Sequence, residues 1–303
     1  MTTHNNPFDV LIVGGSYAGL AAAMALGRSL RNVLILDSGK PCNQQTPHSH
    51  NFLTQDGQTP ASIAQKAREQ VLAYDTVQLL RANAIAAEKT ETGFRIQTES
   101  GNTYTSRKLI FATGLRDNML PIDGFAECWG ISVLHCPYCH GYEVANQPLG
   151  ILSNGNDGYE FVKLILNWTK TLTLFTNGPS KLTTEQHSKL TAHGISIIEK
   201  EIQKLEHQQG RLQNLLFKDG SSHALTALFA RAPFEQHCSL PQTLGCELSD
   251  MGFIQVNDFQ QTSVAGVYAA GDATTGFRSV ANAVGAGTKA GAIVNKELIE
   301  EDF

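Results

Sequence analysis

Val10-Leu11-Ile12-Val13-Gly14-Gly15-Ser16-Tyr17-Ala18-Gly19 decides how this chain is read. A short apolar run of this kind is a buried parallel strand. Gly19 to Leu30 is rich in alanine and leucine and predicts a helix, and Asn32 to Asp37 predicts the next strand, which together make a βαβ unit. A dinucleotide fingerprint needs a tight turn, close backbone approach to a pyrophosphate, close helix–strand packing and a helix N-terminus for the phosphate charge. Gly14 supplies the turn and Gly19 the packing, while the middle position is Ser16 instead of glycine. Asp37 ends the second strand, where a carboxylate accepts hydrogen bonds from ribose hydroxyls. Alone, the pattern leaves an ordinary strand–helix turn open as the alternative.

Working outward, a chain of 303 residues predicts about two domains. Hydrophobic residues at 42% and charged residues at 17% are ordinary for a globular protein with a core. The net charge of −5 offers no basic face for nucleic acid and no polybasic patch for membranes. Met1 to Pro7 has neither the charged nor the apolar region of a secretion signal, so a cytoplasmic location is expected. Val10 to Gly27 is uncharged and long enough to span a bilayer, but its glycines fit a strand turning into a helix better.

Further along, Gly39 to Gly57 reads as loop and Ala61 to Tyr74 as helix; Phe94–Thr98 and Leu109–Thr113 read as strands. A second βαβ unit begins at Leu149–Ser153, continues through a helix at Gly158–Trp168 and ends in a strand at Thr171–Phe175. Ile195–Ile198 and Leu215–Phe217 are further strands. Pro233 to Gly252 is an irregular return, followed by a strand after Gly266 and a helix from about Ser279 to Ile299. The expected architecture is α/β, with two Rossmann-like domains. The first is discontinuous, 1–116 and 241–303, and the second, 117–240, is inserted into it.

Cys136-Pro137-Tyr138-Cys139 lies in that insert. Six cysteines without a secretion signal do not make a disulfide scaffold, and a CxxC then points to redox or metal work. Its four letters match the glutaredoxin motif, but its position after a βαβ unit does not. With His140 it also satisfies the c-type haem pattern, which requires an exported protein. A zinc site from His135, Cys136, Cys139 and His140 is a further reading, although one compact cluster does not close a tetrahedron in the usual two-loop way. The redox dithiol is the favoured reading, and no metal is expected. A helix N-terminus at the second cysteine would favour its thiolate, and His140 would shuttle protons near neutrality. Cys42, Cys128, Cys238 and Cys246 read as buried structural residues.

Tyr268-Ala269-Ala270-Gly271-Asp272 resembles the second FAD signature of two-dinucleotide flavoproteins, and Lys108-Leu109-Ile110-Phe111-Ala112-Thr113-Gly114 resembles their ATG strand. With the dithiol between these elements, the chain resembles the low-molecular-weight thioredoxin reductase family over its whole length. The run from Cys136 to Glu143, and His48 and His50 in the first long loop, resemble the dithiol oxidase branch that closes the disulfides of gliotoxin and holomycin. The resemblance implies FAD held by Gly14, Gly15, Ser16, Ala18, Gly19, Asp37, Ser38, Gln45, Ala112, Thr113, Gly114, Gly271, Asp272, Ser279 and Val280. It implies a flavin-facing Cys139, a partner-facing Cys136, a proton shuttle at His140 where the reductases carry aspartate, and a homodimer.

The family's NADPH site is where the pattern departs. Ser153-Asn154-Gly155-Asn156-Asp157-Gly158 lacks the first glycine of G-x-G-x-x-A/G. The strand ending Leu174-Phe175-Thr176-Asn177-Gly178 carries no arginine to grip a 2′-phosphate. Ala230-Arg231-Ala232-Pro233 places a proline, which has no N–H, in the third contact region. The expected function is therefore FAD-dependent dithiol/disulfide exchange on a small dithiol or a thioredoxin-like protein, without NADPH used in the family's manner. An NADPH-dependent thioredoxin reductase is the alternative, and a non-catalytic flavin redox sensor a second one.

Overall fold

The computed structural model describes residues 7–303; the leader expectation falls mostly on 1–6, outside the described residues. The chain begins with β1 (Phe8–Val13), α1 (Tyr17–Arg28), β2 (Val33–Asp37), α2 (Pro60–Leu72), β3 (Val77–Arg81), β4 (Ala84–Thr90), β5 (Gly93–Thr98), β6 (Thr103–Phe111) and β7 (Leu115–Asp117). It continues through α3 (Phe125–Cys128), β8 (Val133–Leu134), α4 (Pro137–His140), β9 (Leu149–Leu152), α5 (Gly155–Ile165), β10 (Leu172–Phe175), α6 (Thr184–Ala192), β11 (Ser196–Ile198), β12 (Ile202–Gln208), β13 (Arg211–Phe217), β14 (Ser222–Ala224) and β15 (Ala227–Ala230). It closes with β16 (Phe234–Gln236), α7 (Leu240–Thr243), β17 (Val267–Ala269), a 3₁₀ turn at Gly271–Thr274 and α8 (Val280–Asp302). The α/β class expected from the sequence is the class observed.

The chain folds as two units. The first runs up to Gln44, resumes over Asn51–Arg116 and ends with Phe234–Phe303; it is built on the sheet β3-β2-β1-β6-β5-β4. β1, β2, β3 and β6 pair in parallel, with Val10 opposite both Val33 and Lys108. β6 is long enough to serve two partners on one edge. Its first half runs antiparallel to β5, and its last residues, Leu109 to Phe111, run parallel to β17. Alternation along these strands fills both faces. Val10, Ile12, Ile35 and Ile110 pack with α1 and α8, whereas Leu11, Val13, Leu34 and Phe111 pack on the other side with Leu240 and Ile254. Burial on both faces is why Val10–Val13, Val33–Leu36 and Leu109–Phe111 are apolar at every position.

α8 lies on α1 through small residues: a Cβ added at Gly287 or Gly291 would collide with the carbonyls of Ala18 or Ala22. The same helix is tied to the sheet by charge. Lys108, 5% exposed, donates from Nζ to Glu297 Oε1 at 2.5 Å and also to Glu301, and the Tyr268 hydroxyl donates to Glu297. A buried ammonium persists only when paired in this way.

The second unit comprises 45–50 and 117–233. Its parallel sheet runs β11-β10-β9-β15-β8, and an antiparallel sheet β12-β13-β14 accompanies it. Leu149, Ile151 and Leu174 face one core, and Leu152, Phe175 and Leu228 the other. The excursion 45–50 groups with this unit although it lies deep in the first half of the sequence. Gln45 donates from Nε2 to Ala126 O at 3.1 Å and to Trp129 O, which ties the excursion to α3.

Several elements differ from the sequence reading. β3, β4, β12 and β14 were not expected: they carry polar residues at many positions and are held by strand pairing more than by burial. α5 begins at Gly155 instead of Gly158, because Asn154 caps it.

Candidate functional site

In the first unit, Gly14 has φ +107°, and a Cβ there would run into the Ala112 carbonyl. A Cβ on Gly19 would strike the Gly14 carbonyl, so both glycines are required for close approach. Gly15 donates its N–H to Asp37 Oδ1 at 3.2 Å, fixing the carboxylate at the end of β2; Ser38 follows it. Arg81 Nη1 lies 3.8 Å from the other Asp37 oxygen. Ser16 is the N-cap of α1 but makes no side-chain capping bond, which leaves the first N–H groups of that helix to a ligand.

The ATG strand ends beside this turn. Ala112 donates its N–H to Val13 O at 2.8 Å, and Gly114 has φ +65° with open space at its Cα. Thr113 Oγ1 is buried without a hydrogen-bond partner, which is costly unless something else satisfies it. Gly271 has φ +81° and packs against Ala18, a contact that a Cβ would crowd at 2.9 Å. Asp272 Oδ2 lies 3.5 Å from Arg278 Nε. Ser279 caps α8, accepting from the Asn282 N–H at 3.1 Å, and Val280 is the first residue of that helix. The glycine turn, the uncapped helix start, the orphaned threonine hydroxyl and the two carboxylates fit FAD. Gln45, expected with them, donates from Nε2 to the Ala126 and Trp129 carbonyls.

In the second unit, Cys136 and Cys139 form a disulfide with their Cα atoms 5.3 Å apart. Pro137 opens the one-turn helix α4, so Cys136, and not Cys139, stands at its N-cap. Cys139 and His140 both donate their N–H to the Cys136 carbonyl, at 3.3 and 3.2 Å. Tyr138 is exposed and edge-on to Trp168, their ring centroids 5.6 Å apart, while Gly141 leaves no room for a side chain beneath the Trp168 indole. His135 stacks on Trp129 at 5.6 Å.

The excursion 45–50 brings two more histidines to the dithiol. His50 is edge-on to His140 at 6.3 Å between centroids, His48 is 6.4 Å from His50, and His50 Nε2 lies 3.4 Å from Glu143 Oε1. Burial pushes the pKa of His140 down, Glu143 opposes that shift, and His50 adds to it; the net direction is down. Neutral imidazole, a proton acceptor, is thus the favoured form at neutral pH. Glu143 joins this group without a motif of its own; its place three residues beyond His140 is its only mark in the sequence.

The nucleotide-like turn of this unit is filled by the chain itself. Asn154 Oδ1 accepts from Gly155 N at 2.8 Å and Lys181 N at 2.7 Å, and its Nδ2 donates to Thr176 O at 3.2 Å and Pro179 O at 2.9 Å. Nearby, Glu199 Oε2 accepts from Ser180 N at 2.9 Å. Arg231 lies over the Phe161 ring at 4.9 Å.

Of the remaining cysteines, Cys128 and Cys246 are buried and Cys238 is half-buried, but Cys42 is exposed on a loop that makes no core. Among the described residues no group of three or more His, Cys, Asp or Glu side chains could hold a metal ion, and no helix is long and apolar enough to cross a membrane.

Comparison with known proteins agrees with this organisation. The family model for pyridine nucleotide-disulphide oxidoreductases matches residues 8–287. A protein named thioredoxin reductase tcpT, from Claviceps purpurea, is 35% identical over 98% of this chain and 96% of its own. Thioredoxin reductase sirT from Leptosphaeria maculans is 31% identical over 100% and 98%. The crystal structure of a putative thioredoxin reductase TrxB from Bacillus anthracis superposes with a TM-score of 0.93 at 31% identity, covering 98% of this chain and 100% of that one. The chain is an FAD-binding oxidoreductase and belongs to the pyridine nucleotide-disulphide oxidoreductase family.

Proposed function

We propose that the protein oxidises a small dithiol to a disulfide through Cys136 and Cys139, without drawing electrons from NADPH. The observation that carries this reading is Asn154. A nucleotide phosphate at a helix N-terminus needs free N–H groups and a cationic partner. At α5 the Asn154 carboxamide makes four hydrogen bonds, its full capacity, and holds the 176–181 loop over that end of the helix. The carboxylate of Glu199, bound to the same loop, adds a charge of the wrong sign for phosphate.

The chemistry follows from the residues around the disulfide. A substrate thiol gives its proton to neutral His140, and the resulting thiolate attacks Cys136 Sγ. The Cys136–Cys139 bond breaks and Cys139 leaves as thiolate. The second substrate thiol, on losing its proton, attacks the first substrate sulfur and expels the Cys136 thiolate. The substrate has then lost two electrons and two protons, and the cysteine pair holds the electrons. Restoring the Cys136–Cys139 disulfide is the chemistry that FAD supplies when bound, as acceptor of that electron pair, with oxygen or another oxidant as the final acceptor. The assignment of the two sulfurs rests on the resemblance to the reductases, as do the homodimer and the FAD contacts. Cysteines kept outside any scaffold agree with a cytoplasmic setting.

The names of the relatives favour a second reading, an NADPH-dependent thioredoxin reductase. Anaerobic stopped-flow of the flavin separates the two. Rapid bleaching by dithiothreitol with none by NADPH is expected; rapid bleaching by NADPH overturns the proposal.

A further inference from the structure

Glu143 lies beyond the dithiol and takes no part in the exchange chemistry derived above, yet its position is specific. Its carboxylate approaches His50 Nε2 at 3.4 Å, and His50 is in turn edge-on to His140. The three groups come from two stretches that are distant in sequence. His140 and Glu143 flank the tight Gly141, where there is room for no side chain, and His50 arrives on the 45–50 excursion held by Gln45. The side chains grow more exposed along the series. His140 is desolvated enough for its charge to be disfavoured, His50 has 20% of its side chain exposed, and Glu143 has 38%.

We propose that Glu143 is a positioning residue that orients His50 against His140, so that a proton taken from a substrate thiol leaves by way of His50 toward solvent. This inference rests on the dithiol reading of Cys136 and Cys139. The physical argument is that a buried imidazole accepts a proton readily only if the charge can be shared or removed. The Glu143 carboxylate at 3.4 Å gives the outer ring a hydrogen-bond acceptor to turn toward, while burial disfavours charge on the inner ring. The titratable groups around the pair are His48 and His50 on the excursion, and Tyr138, Glu143 and the cysteines themselves on and after α4. Among the charged groups that act on His140, Glu143 is the one that draws its pKa upward.

The test uses the intact flavoprotein and E143Q, which keeps the shape and one acceptor oxygen but removes the charge; E143A is the control for shape. Histidine ring titration by NMR is followed in each, together with anaerobic flavin reduction by dithiothreitol from pH 5.5 to 9. In E143Q the His140 ionisation should fall. The dithiol half-reaction should slow by roughly tenfold, the equivalent of one pH unit of lost imidazolium stabilisation. Its pH profile should shift, with flavin content unchanged. Unaltered histidine titrations in E143Q overturn the proposal, as does an unaltered pH profile in an enzyme that dithiothreitol does reduce. If dithiothreitol fails to reduce the wild-type flavin, the dithiol reading fails, and the NMR titrations still decide whether Glu143 governs the pair.

Discussion

Lys181 and Asn154 are joined by a 2.7 Å hydrogen bond from the Lys181 amide to the Asn154 carboxamide oxygen, which pins a surface loop to the start of α5. Asn154→Ala removes this bond and three others. The loss should cost about 1–2 kcal/mol, the range for an N-cap that also anchors a loop. Urea unfolding checks it; a change below about 0.3 kcal/mol contradicts the pin. Opening the turn supplies no cation, so NADPH should reduce the variant's flavin no faster than before.

Thr113 offers a test of the cradle that separates ligand from fold. Its hydroxyl oxygen is buried without a partner in the protein chain. Thr113→Val should leave the apoprotein as stable or slightly more so, since an unsatisfied polar atom is removed. FAD affinity should drop by about 2–13-fold, the equivalent of one ordinary hydrogen bond. Thermal unfolding of apoprotein and fluorescence titration with FAD measure the two quantities. Unchanged affinity removes Thr113 from the cradle.

The two sulfurs should behave differently when one is lost. Cys139→Ser leaves Cys136 without its resolving thiol, so with excess oxidised glutathione, whose bound half carries no second thiol to expel Cys136, a mixed disulfide should accumulate. Intact mass reads it directly. Cys136→Ser should give no such adduct, and both variants should stop turnover while retaining FAD. An adduct confined to Cys136→Ser would reverse the assignment.

His140 gives a pH dependence whose sign is fixed. Its folded pKa is depressed, chiefly by burial, below the unfolded value of about 6.5. The unfolded state therefore binds the proton more readily, so His140 favours folding above about pH 6.5 and that contribution fades as pH falls through the folded pKa. His140→Asn should flatten the decline of melting temperature between pH 7 and 5. His140→Ala should slow the dithiol half-reaction by about 10²–10⁴-fold, the range for a lost acid–base group. Wild-type rates across pH 6 to 9 would make the residue structural.

Much of this was legible in the chain because burial writes a strong local pattern. β1, β2 and the last third of β6 lie in a sheet covered on both faces, so Val10–Val13, Val33–Leu36 and Leu109–Phe111 are apolar runs. The strained glycines at 14 and 271 mark turns that other residues resist. β4, Ala84 to Thr90, was not legible: it is largely exposed, built from Ala, Glu and Lys, and exists because β5 pairs with it. The dithiol was plain from its spacing. Its neighbours His50 and Glu143 were not brought together by any periodicity, since a tertiary excursion anchored by one glutamine joins them.

The place of β17 beside β6 has a consequence for biosynthesis. As the chain leaves the ribosome, β6 emerges with the edge beyond Leu109 unpaired, and its partner, Val267 to Ala269, is translated only after the whole 117–233 segment. All strands of the second parallel sheet are available before that partner exists. A naked, strongly apolar strand edge invites pairing with other nascent chains. Flavin capture and protection from aggregation thus both wait on the same late strand and on α8 behind it. Slowing translation after residue 233 should therefore raise the demand for chaperones more than slowing it earlier.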